Sequence, residues 1–349
     1  MQVVIPVAGL GTRLRPHTHT RPKPLVTVAG KPVLGHILDK LVDLNVEKMI
    51  FIVGYLGGQI KDYVETRYDF PTAYVTQREL RGQAHAIRLT REQVDGPMLI
   101  IFVDTIFDAD LKALEQVDEG GVIYVKEVDD PRRFGVVTLD EQGIITRFVE
   151  KPSEPVSNLA VIGMYYIKDH ALLFECIDDL IEQGQQTKGE YYLADALQLM
   201  VDRGARLKAR TIDVWEDCGT AESLLQTNRY LLRKTVTNHA ASEGAIIIPP
   251  VSIPASARIE DSVIGPYVSV GEGCLVRKSV VGPYVSLANG SEVDCAIIRD
   301  SIVNEGARIE TAMLSNSLIG NHARVRNSLE RLNVGDSSQI DAWLSDESA

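Results

Sequence analysis

The stretch Ser262-Val-Ile-Gly-Pro-Tyr-Val-Ser-Val270 returns seventeen residues later as Ser279-Val-Val-Gly-Pro-Tyr-Val-Ser-Leu287, with weaker copies at Ser301–Ile309 and Ser317–Val325. Beneath the copies runs an aliphatic ladder: Ile247, Ile253, Ile259, Ile264, Val270, Val276, Val281, Leu287, Val293, Ile298, Val303, Ile309, Leu314, Ile319 and Val325. Every step is five or six residues, and three steps make one turn of a coil whose inward side chains are buried only against neighbouring coils. The spacing predicts a left-handed parallel β-helix of hexapeptide repeats over residues 245–335, with about five coils. Beyond Ser337 the chain turns polar and acidic and is expected to fray. Pro266-Tyr and Pro283-Tyr stand at equivalent places in adjacent coils, which predicts a stacked tyrosine pair on an outer face suited to a partner.

Working back toward the N-terminus, the period changes. Val3–Val7, Met49–Val53, Ala73–Val75 and Met98–Val103 are short apolar runs of the buried parallel-strand type. Leu34–Leu44, Gln59–Val64 and Ala84–Thr90 carry helical spacing between them. That rhythm predicts an α/β domain over residues 1–236, a Rossmann-like doubly wound sheet. Strands at Val122–Glu127, Phe134–Leu139, Ile144–Glu150 and Val161–Ile167 have hairpin-like spacing and make the sheet mixed. Helices follow at Leu172–Glu182 and Tyr191–Arg203, with a helical connector at Leu224–Val236. Sites in such sheets lie at the carboxyl ends of the parallel strands, so the loops after Val7 and Val103 are the places to look.

Composition narrows the class. The chain has 349 residues, 45% of them hydrophobic and 24% charged, which supports a packed core and excludes global disorder. A net charge of −12 argues against a grip on nucleic acid polymer or anionic lipid. No apolar run is long enough for a membrane span, and Met1–Ala8 has no basic leader, so it is expected to be a first strand in a cytoplasmic protein. Cys176, Cys218, Cys274 and Cys295 are far apart and are expected to be reduced, buried thiols. Residues 1–38 nevertheless hold five cations and no acid, leaving a net −17 on the remainder. An anion site near the N-terminus is the natural reading.

The loop after the first strand reads Ala8-Gly-Leu-Gly-Thr-Arg-Leu14. Its glycines let the backbone approach a phosphate, but Leu14 stands where a dinucleotide fingerprint needs its third glycine. No acid follows the second strand, at Val53-Gly-Tyr, to hold a ribose, and no Gly-Lys-Ser/Thr completes a P-loop. Arg13 beside the glycines, with Lys23 ten residues on, suits a triphosphate chain instead. Gly9-Leu-Gly-Thr-Arg-Leu-Arg-Pro16, Arg21-Pro-Lys-Pro-Leu25 and Gly30-Lys-Pro32 together resemble the signature of the sugar-1-phosphate nucleotidylyltransferases, or nucleotide-sugar pyrophosphorylases. Within that group the long-form glucose-1-phosphate thymidylyltransferases are the most similar. Phe134-Gly-Val-Val137, Phe148-Val-Glu-Lys-Pro152, Asn158-Leu-Ala-Val-Ile-Gly163 and Trp215-Glu-Asp-Cys-Gly-Thr220 extend the resemblance over residues 1–235. Val103-Asp104-Thr105 departs from the Gly-Asp-Asn usual in the family.

The resemblance implies transfer of a nucleotidyl group from a triphosphate, dTTP or UTP, to a sugar-1-phosphate such as glucose-1-phosphate, with Mg²⁺ and with pyrophosphate released. Arg13, Lys23 and Lys151 become the catalytic cations. Ala8, Gly9, Gly11, Thr12, Gln77 and Gly82 join Arg13 and Lys23 around the nucleotide. Gly135, Glu150, Lys151 and Val161 become the sugar-phosphate segment, and Asp104 and Asp217 the metal ligands, as hard carboxylates suited to Mg²⁺. Two other readings stay open: a UTP-dependent N-acetylhexosamine-1-phosphate uridylyltransferase, and a non-catalytic regulatory subunit that binds nucleotide sugar. The second is expected to lose Arg13, Lys23 or an aspartate, and all are present. His17, His19 and His36 lack metal-ligand spacing and read as structural; His85 packs in the base segment, and His322 is solvated or stacked. The β-helix is expected to drive homo-oligomer formation and to leave the chemistry to the first half.

Overall fold

The computed structural model describes residues 1–234, 237–239, 244–329 and 331–341. In chain order the first elements are β1 (Gln2–Pro6), the short pair β2 (Thr27–Val28) and β3 (Lys31–Pro32), and α1 (Val33–Leu38). Then come β4 (Lys48–Val53), α2 (Gly57–Arg67), β5 (Thr72–Thr76), α3 (Gln83–Arg88), β6 (Met98–Ile101) and β7 (Thr105–Asp108). β8 (Gly121–Glu127), β9 (Gly135–Leu139), β10 (Ile145–Glu150) and β11 (Leu159–Ile167) lead to α4 (His170–Glu182) and α5 (Leu193–Asp202). β12 (Leu207–Thr211), β13 (Val214–Asp217) and α6 (Ala221–Arg233) precede the repeats. By internal contacts the chain forms two compact units, Met1–Leu10 with Ile37–Trp215, and Gly11–His36 with Glu216 onward. The period of the sequence divides it elsewhere, near residue 236, because periodicity does not register how a loop packs.

The first unit is a nine-stranded mixed sheet with β10-β9-β11-β6-β1-β4-β5 in order and β8 and β12 attached through β11. β1 pairs in parallel with β4 and β6, and β4 with β5. Val3, Val4 and Ile5 are all fully buried, as a central parallel strand covered on both faces requires. Ala84 and Ile87 of α3, Phe174 and Ile177 of α4, and Leu197 and Met200 of α5 pack with Val4, Ile50 and Ile100 in one core. β11 runs antiparallel to β6 and β8, and β9–β10 is an antiparallel hairpin. The Rossmann-like mixed sheet expected from the rhythm forms, and the carboxyl ends of β1, β4, β5 and β6 lie at one edge. The helix expected over Leu34–Leu44 stops at Leu38, after which Lys40, Leu41 and Leu44 donate to carbonyls three residues back, in separate turns.

In the second unit the repeats form three parallel sheets of seven, five and six strands. Ile264 lies opposite Val281, Val268 opposite Val285 and Val276 opposite Val293, so successive repeats stack in register. Fourteen of the fifteen ladder residues are buried in one core and Ile247 is partly buried against it. The recurrent serines explain themselves at the corners. Ser262, Ser279 and Ser301 are buried; their hydroxyls accept the backbone N–H of Ser279, Ala296 and Ser317 in the next coil at 3.0–3.1 Å and donate to carbonyls two residues back. A buried N–H that would otherwise cost free energy is thereby satisfied in each coil. The helix runs past both expected limits: Asn238–His239 pairs with Ser252–Ile253, and Gln339–Asp341 with Arg324–Arg326, so the chain does not fray directly after Ser337. The expected connector end at Val236 and the acidic tail from residue 342 lie outside the described residues.

The tyrosine pair is stacked, with Tyr267 and Tyr284 centroids 4.8 Å apart and planes 4° from parallel. Arg233 of α6 lies 5.3 Å above the Tyr284 ring and donates to its hydroxyl. Cys176, Cys218 and Cys274 are buried free thiols, whereas Cys295 is exposed, contrary to expectation, because it sits in a left-handed turn on a corner of the coil. Among the described residues no helix is long and apolar enough to cross a membrane.

Candidate functional site

In the first unit the expected residues lie on the edge where the parallel strands end. Ala8 is buried just beyond β1, with Gly9 exposed beside it. Gln77 follows β5, its backbone N–H donating to Val53 O at 2.8 Å. Gln77 as a residue is buried. Gly82, at φ 111°, crosses the backbone of Tyr191; a Cβ there would lie 2.5 Å from Tyr191 O. Asp104 occupies the turn between β6 and β7 and is half-buried.

The residues expected to form the sugar-phosphate segment come together around the end of β10. Glu150 lies against Gly135 of the neighbouring strand, where a Cβ would come within 2.7 Å of Glu150 Oε2. Lys151 Nζ stands 3.6 Å from Glu150 Oε1, donates to the Tyr192 hydroxyl at 3.0 Å and lies 4.8 Å over the Tyr192 ring. Val161 is on β11, one residue from the Ala160–Val136 pairing that joins β11 to β9. Burial pushes the Glu150 carboxyl above its ordinary range, and the Lys151 charge offsets only part of that. For Lys151 burial works against the ammonium, but the Tyr192 hydrogen bond and the Glu150 charge outweigh it and hold the pKa high. Burial, then the charges of Glu150 and Asp104, push the Tyr165 hydroxyl far above the phenol range, so both carboxylates act on one ring.

Glu150 makes a testable case. Its raised pKa means that the folded protein holds the Glu150 proton more tightly than the unfolded chain does. The ionised carboxylate therefore costs stability above the folded pKa, and the cost fades as pH falls through it. Glu150→Gln is expected to melt higher than wild type at pH 8 and to lose that advantage in the acid range, in a calorimetric pH series. A charged acceptor is also lost, so sugar-1-phosphate KM should rise by about 10-fold or more. Unchanged KM removes Glu150 from the site.

The remaining expected residues belong to the second unit. Gly11, at φ 61°, caps a short 3₁₀ turn, Thr12–Leu14; a Cβ on Gly11 would lie 2.9 Å from Lys23 Cβ, so only glycine lets Lys23 pack there. Arg13, exposed on this turn, lies over Gly219: a Cβ on Gly219 would be 2.9 Å from both Arg13 Nη2 and Asp217 Oδ1. Asp217 Oδ1 also accepts the Gly219 N–H at 2.8 Å. The glycine loop and the Trp215-Glu-Asp-Cys-Gly-Thr220 segment thus meet at Arg13. Among the described residues no three His, Cys, Asp or Glu side chains gather. Asp104 of the first unit and Asp217 of the second are each a hard carboxylate of the kind Mg²⁺ takes, one or two at a time, with water and substrate phosphates completing its octahedron. His322 is exposed with its ring against Gly306, a stacked position. Tyr192 and Asn228 carried no sequence signal, since neither lies in a motif and each meets its partners only through the fold.

Residues 2–234 match the nucleotidyl transferase family, and residues 225–296 the GlmU-like C-terminal hexapeptide family. The UTP–glucose-1-phosphate uridylyltransferase AglF of Haloferax volcanii is 37% identical over 240 residues, 65% of this chain and 97% of that protein. The bifunctional protein GlmU of Methanocaldococcus jannaschii is 36% identical over 239 residues, 68% of this chain but only 56% of the relative. A solved UDP-glucose pyrophosphorylase complexed with UDP-glucose superposes with a TM-score of 0.60 at 24% identity, over 67% of this chain and 98% of that one, a likeness of fold.

Proposed function

The chain belongs to the nucleotidyl transferase family, and on that premise we propose that it joins a pyrimidine nucleoside triphosphate, dTTP or UTP, to a sugar-1-phosphate, with glucose-1-phosphate the expected acceptor. A sugar-phosphate oxygen attacks the α-phosphorus, the bond to the β-phosphate oxygen breaks, and pyrophosphate leaves. No protein nucleophile is needed, because alignment and charge neutralisation supply the rate. The observation that carries this reading is the Lys151–Glu150 pair set against Gly135, a cation for a phosphate beside an acceptor for hydroxyls. Lys151 holds the sugar phosphate in line, while Gly135 and Val161 line the sugar. Gln77 and the Gly82 backbone read the pyrimidine edge. Ala8, Gly9, Gly11 and Thr12 lie along the triphosphate, where Arg13, assisted by Lys23, meets the charge growing on pyrophosphate. Asp104 and Asp217 hold Mg²⁺, which when bound neutralises phosphate charge.

The names of AglF and GlmU favour a UTP-dependent variant, with either a hexose or an N-acetylhexosamine phosphate as acceptor. Pyrophosphate release from four triphosphates against glucose-1-phosphate and N-acetylglucosamine-1-phosphate separates these choices. Release with a purine triphosphate alone overturns the Gln77 assignment. Four free cysteines suit a reducing compartment, and the cytoplasm is the expected location.

Self-association is assigned to the β-helix, which carries an apolar face besides the tyrosine pair. On the five-stranded sheet Ile246, Val263, Val280, Ile297 and Met313 stand side by side in register. Four of them are 42–62% exposed, which makes an apolar stripe of the kind that homo-oligomers cover. Val280→Glu with Ile297→Glu should lower the particle mass in light scattering to that of a single chain. An unchanged mass places the interface elsewhere.

A further inference from the structure

Arg13 and Lys23 ride on a segment, Gly11–His36, that packs within the same unit as the β-helix, and its anchor points can be named. His17, only 4% exposed, has Nε2 2.7 Å from Asn333 Oδ1 in the last coil. An amide oxygen accepts, so Nε2 carries the ring proton; Nδ1, buried without a partner, then has no proton left to satisfy. Burial lowers the His17 pKa, with Asn333 and Asp336 opposing and Arg21 assisting. Pro16 packs on Gly335, where a Cβ would lie 2.9 Å from Pro16 Cβ. The Thr20 hydroxyl donates to Asp336, whose other oxygen accepts the Asn321 N–H at 2.7 Å. Inside the loop Thr18 Oγ1 donates to Gly11 O at 2.8 Å, and Leu14 N–H donates to the same oxygen at 3.0 Å. Residues 16–20 are therefore fixed to the last coil, and through Gly11 they fix the turn that aims Arg13.

A second anchor lies further along the segment. Asn228 of α6 is fully buried; its Oδ1 accepts the Ala29 N–H at 2.9 Å and the Ser286 hydroxyl at 3.0 Å, and its Nδ2 donates to Tyr284 O at 3.3 Å. One amide thus joins the cationic segment, α6 and a middle coil. Such a fully satisfied buried network sets position as much as stability.

We propose that the last coil of the β-helix, through Asn333, Gly335 and Asp336, is the positioning element for Arg13, so that the β-helix sets the rate of nucleotidyl transfer as well as carrying an assembly surface. The proposal rests on the role given to Arg13 above. A cation that stabilises developing charge works only if it is already in place, and a displacement of about 1 Å costs up to ~10²-fold. Asn333 touches no reactant; it acts through His17 and the turn.

The test uses the full-length chain and steady-state pyrophosphate release. Asn333→Ala is expected to lower kcat by ~10-fold or more while the sugar-1-phosphate KM stays within a factor of about two. Asn333→Asp keeps an acceptor oxygen for His17 and should retain most of the wild-type kcat. Whatever happens to the melting temperature, the pair Asn333→Ala with Arg13→Ala decides the matter: it should be no slower than Arg13→Ala alone, since one residue acts through the other. Additive losses, or an Asn333→Ala kcat equal to wild type, overturn the proposal. A wild-type protein that turns over no sugar-1-phosphate at all rejects the function on which the proposal rests, a different outcome from a fast Asn333→Ala variant.

Discussion

Asp104→Asn and Asp217→Asn should each abolish Mg²⁺-dependent turnover and leave the fold intact. The substitution removes charge while preserving shape. Asp217 uses Oδ1 to accept the Gly219 N–H, and the amide oxygen of asparagine accepts the same bond, so the turn after β13 survives. Asp104 stands in a half-buried turn at the end of β6, where an isosteric amide also fits. A neutral amide is a far poorer Mg²⁺ ligand than a carboxylate, so metal affinity falls with the rate. Circular dichroism, Mn²⁺ binding followed by electron paramagnetic resonance, and pyrophosphate release together separate the possibilities. If either variant binds metal and turns over as wild type does, that aspartate only orders its turn.

Arg13→Ala should lower kcat by at least ~10²-fold with little change in melting temperature. Arg13 is exposed, and in the proposed mechanism it acts where charge accumulates as pyrophosphate departs. The turn that carries it is shaped by Gly11, Leu14 and Thr18, none of which needs the guanidinium. A kcat near wild type removes Arg13 from the chemistry. A large fall in melting temperature instead makes its packing over Gly219 and beside Asp217 structural.

The β-helix was the most legible part of the sequence, because each inward position is set by a local repeat and fourteen of fifteen ladder residues are buried as the spacing requires. The parallel strands were legible for a related reason: Val3–Ile5 and Met49–Ile52 are apolar on both faces, and that run marks a covered strand wherever it occurs. Helix ends were harder. Leu34–Leu44 keeps its apolar spacing through turns that are not helical, since buried turns also need apolar side chains. What periodicity cannot carry is a contact between distant residues through a single pair of side chains. His17 and Asn333 are 316 residues apart, and nothing in either neighbourhood announces the other. Nor does periodicity register that the segment bearing Arg13 and Lys23 packs within the unit of the β-helix. Tyr192 beneath Lys151 and Asn228 behind Ala29 likewise emerged only from the fold.

The most direct test of the central claim follows the α-phosphate. UTP or dTTP labelled at the α-phosphorus is incubated with glucose-1-phosphate, Mg²⁺ and the full-length protein, and the products are separated. The label should appear in a nucleotide sugar, in step with pyrophosphate release, and only when both substrates are present. Label that stays in the triphosphate with a correctly folded protein, or that passes to free nucleotide without entering a sugar product, contradicts the account.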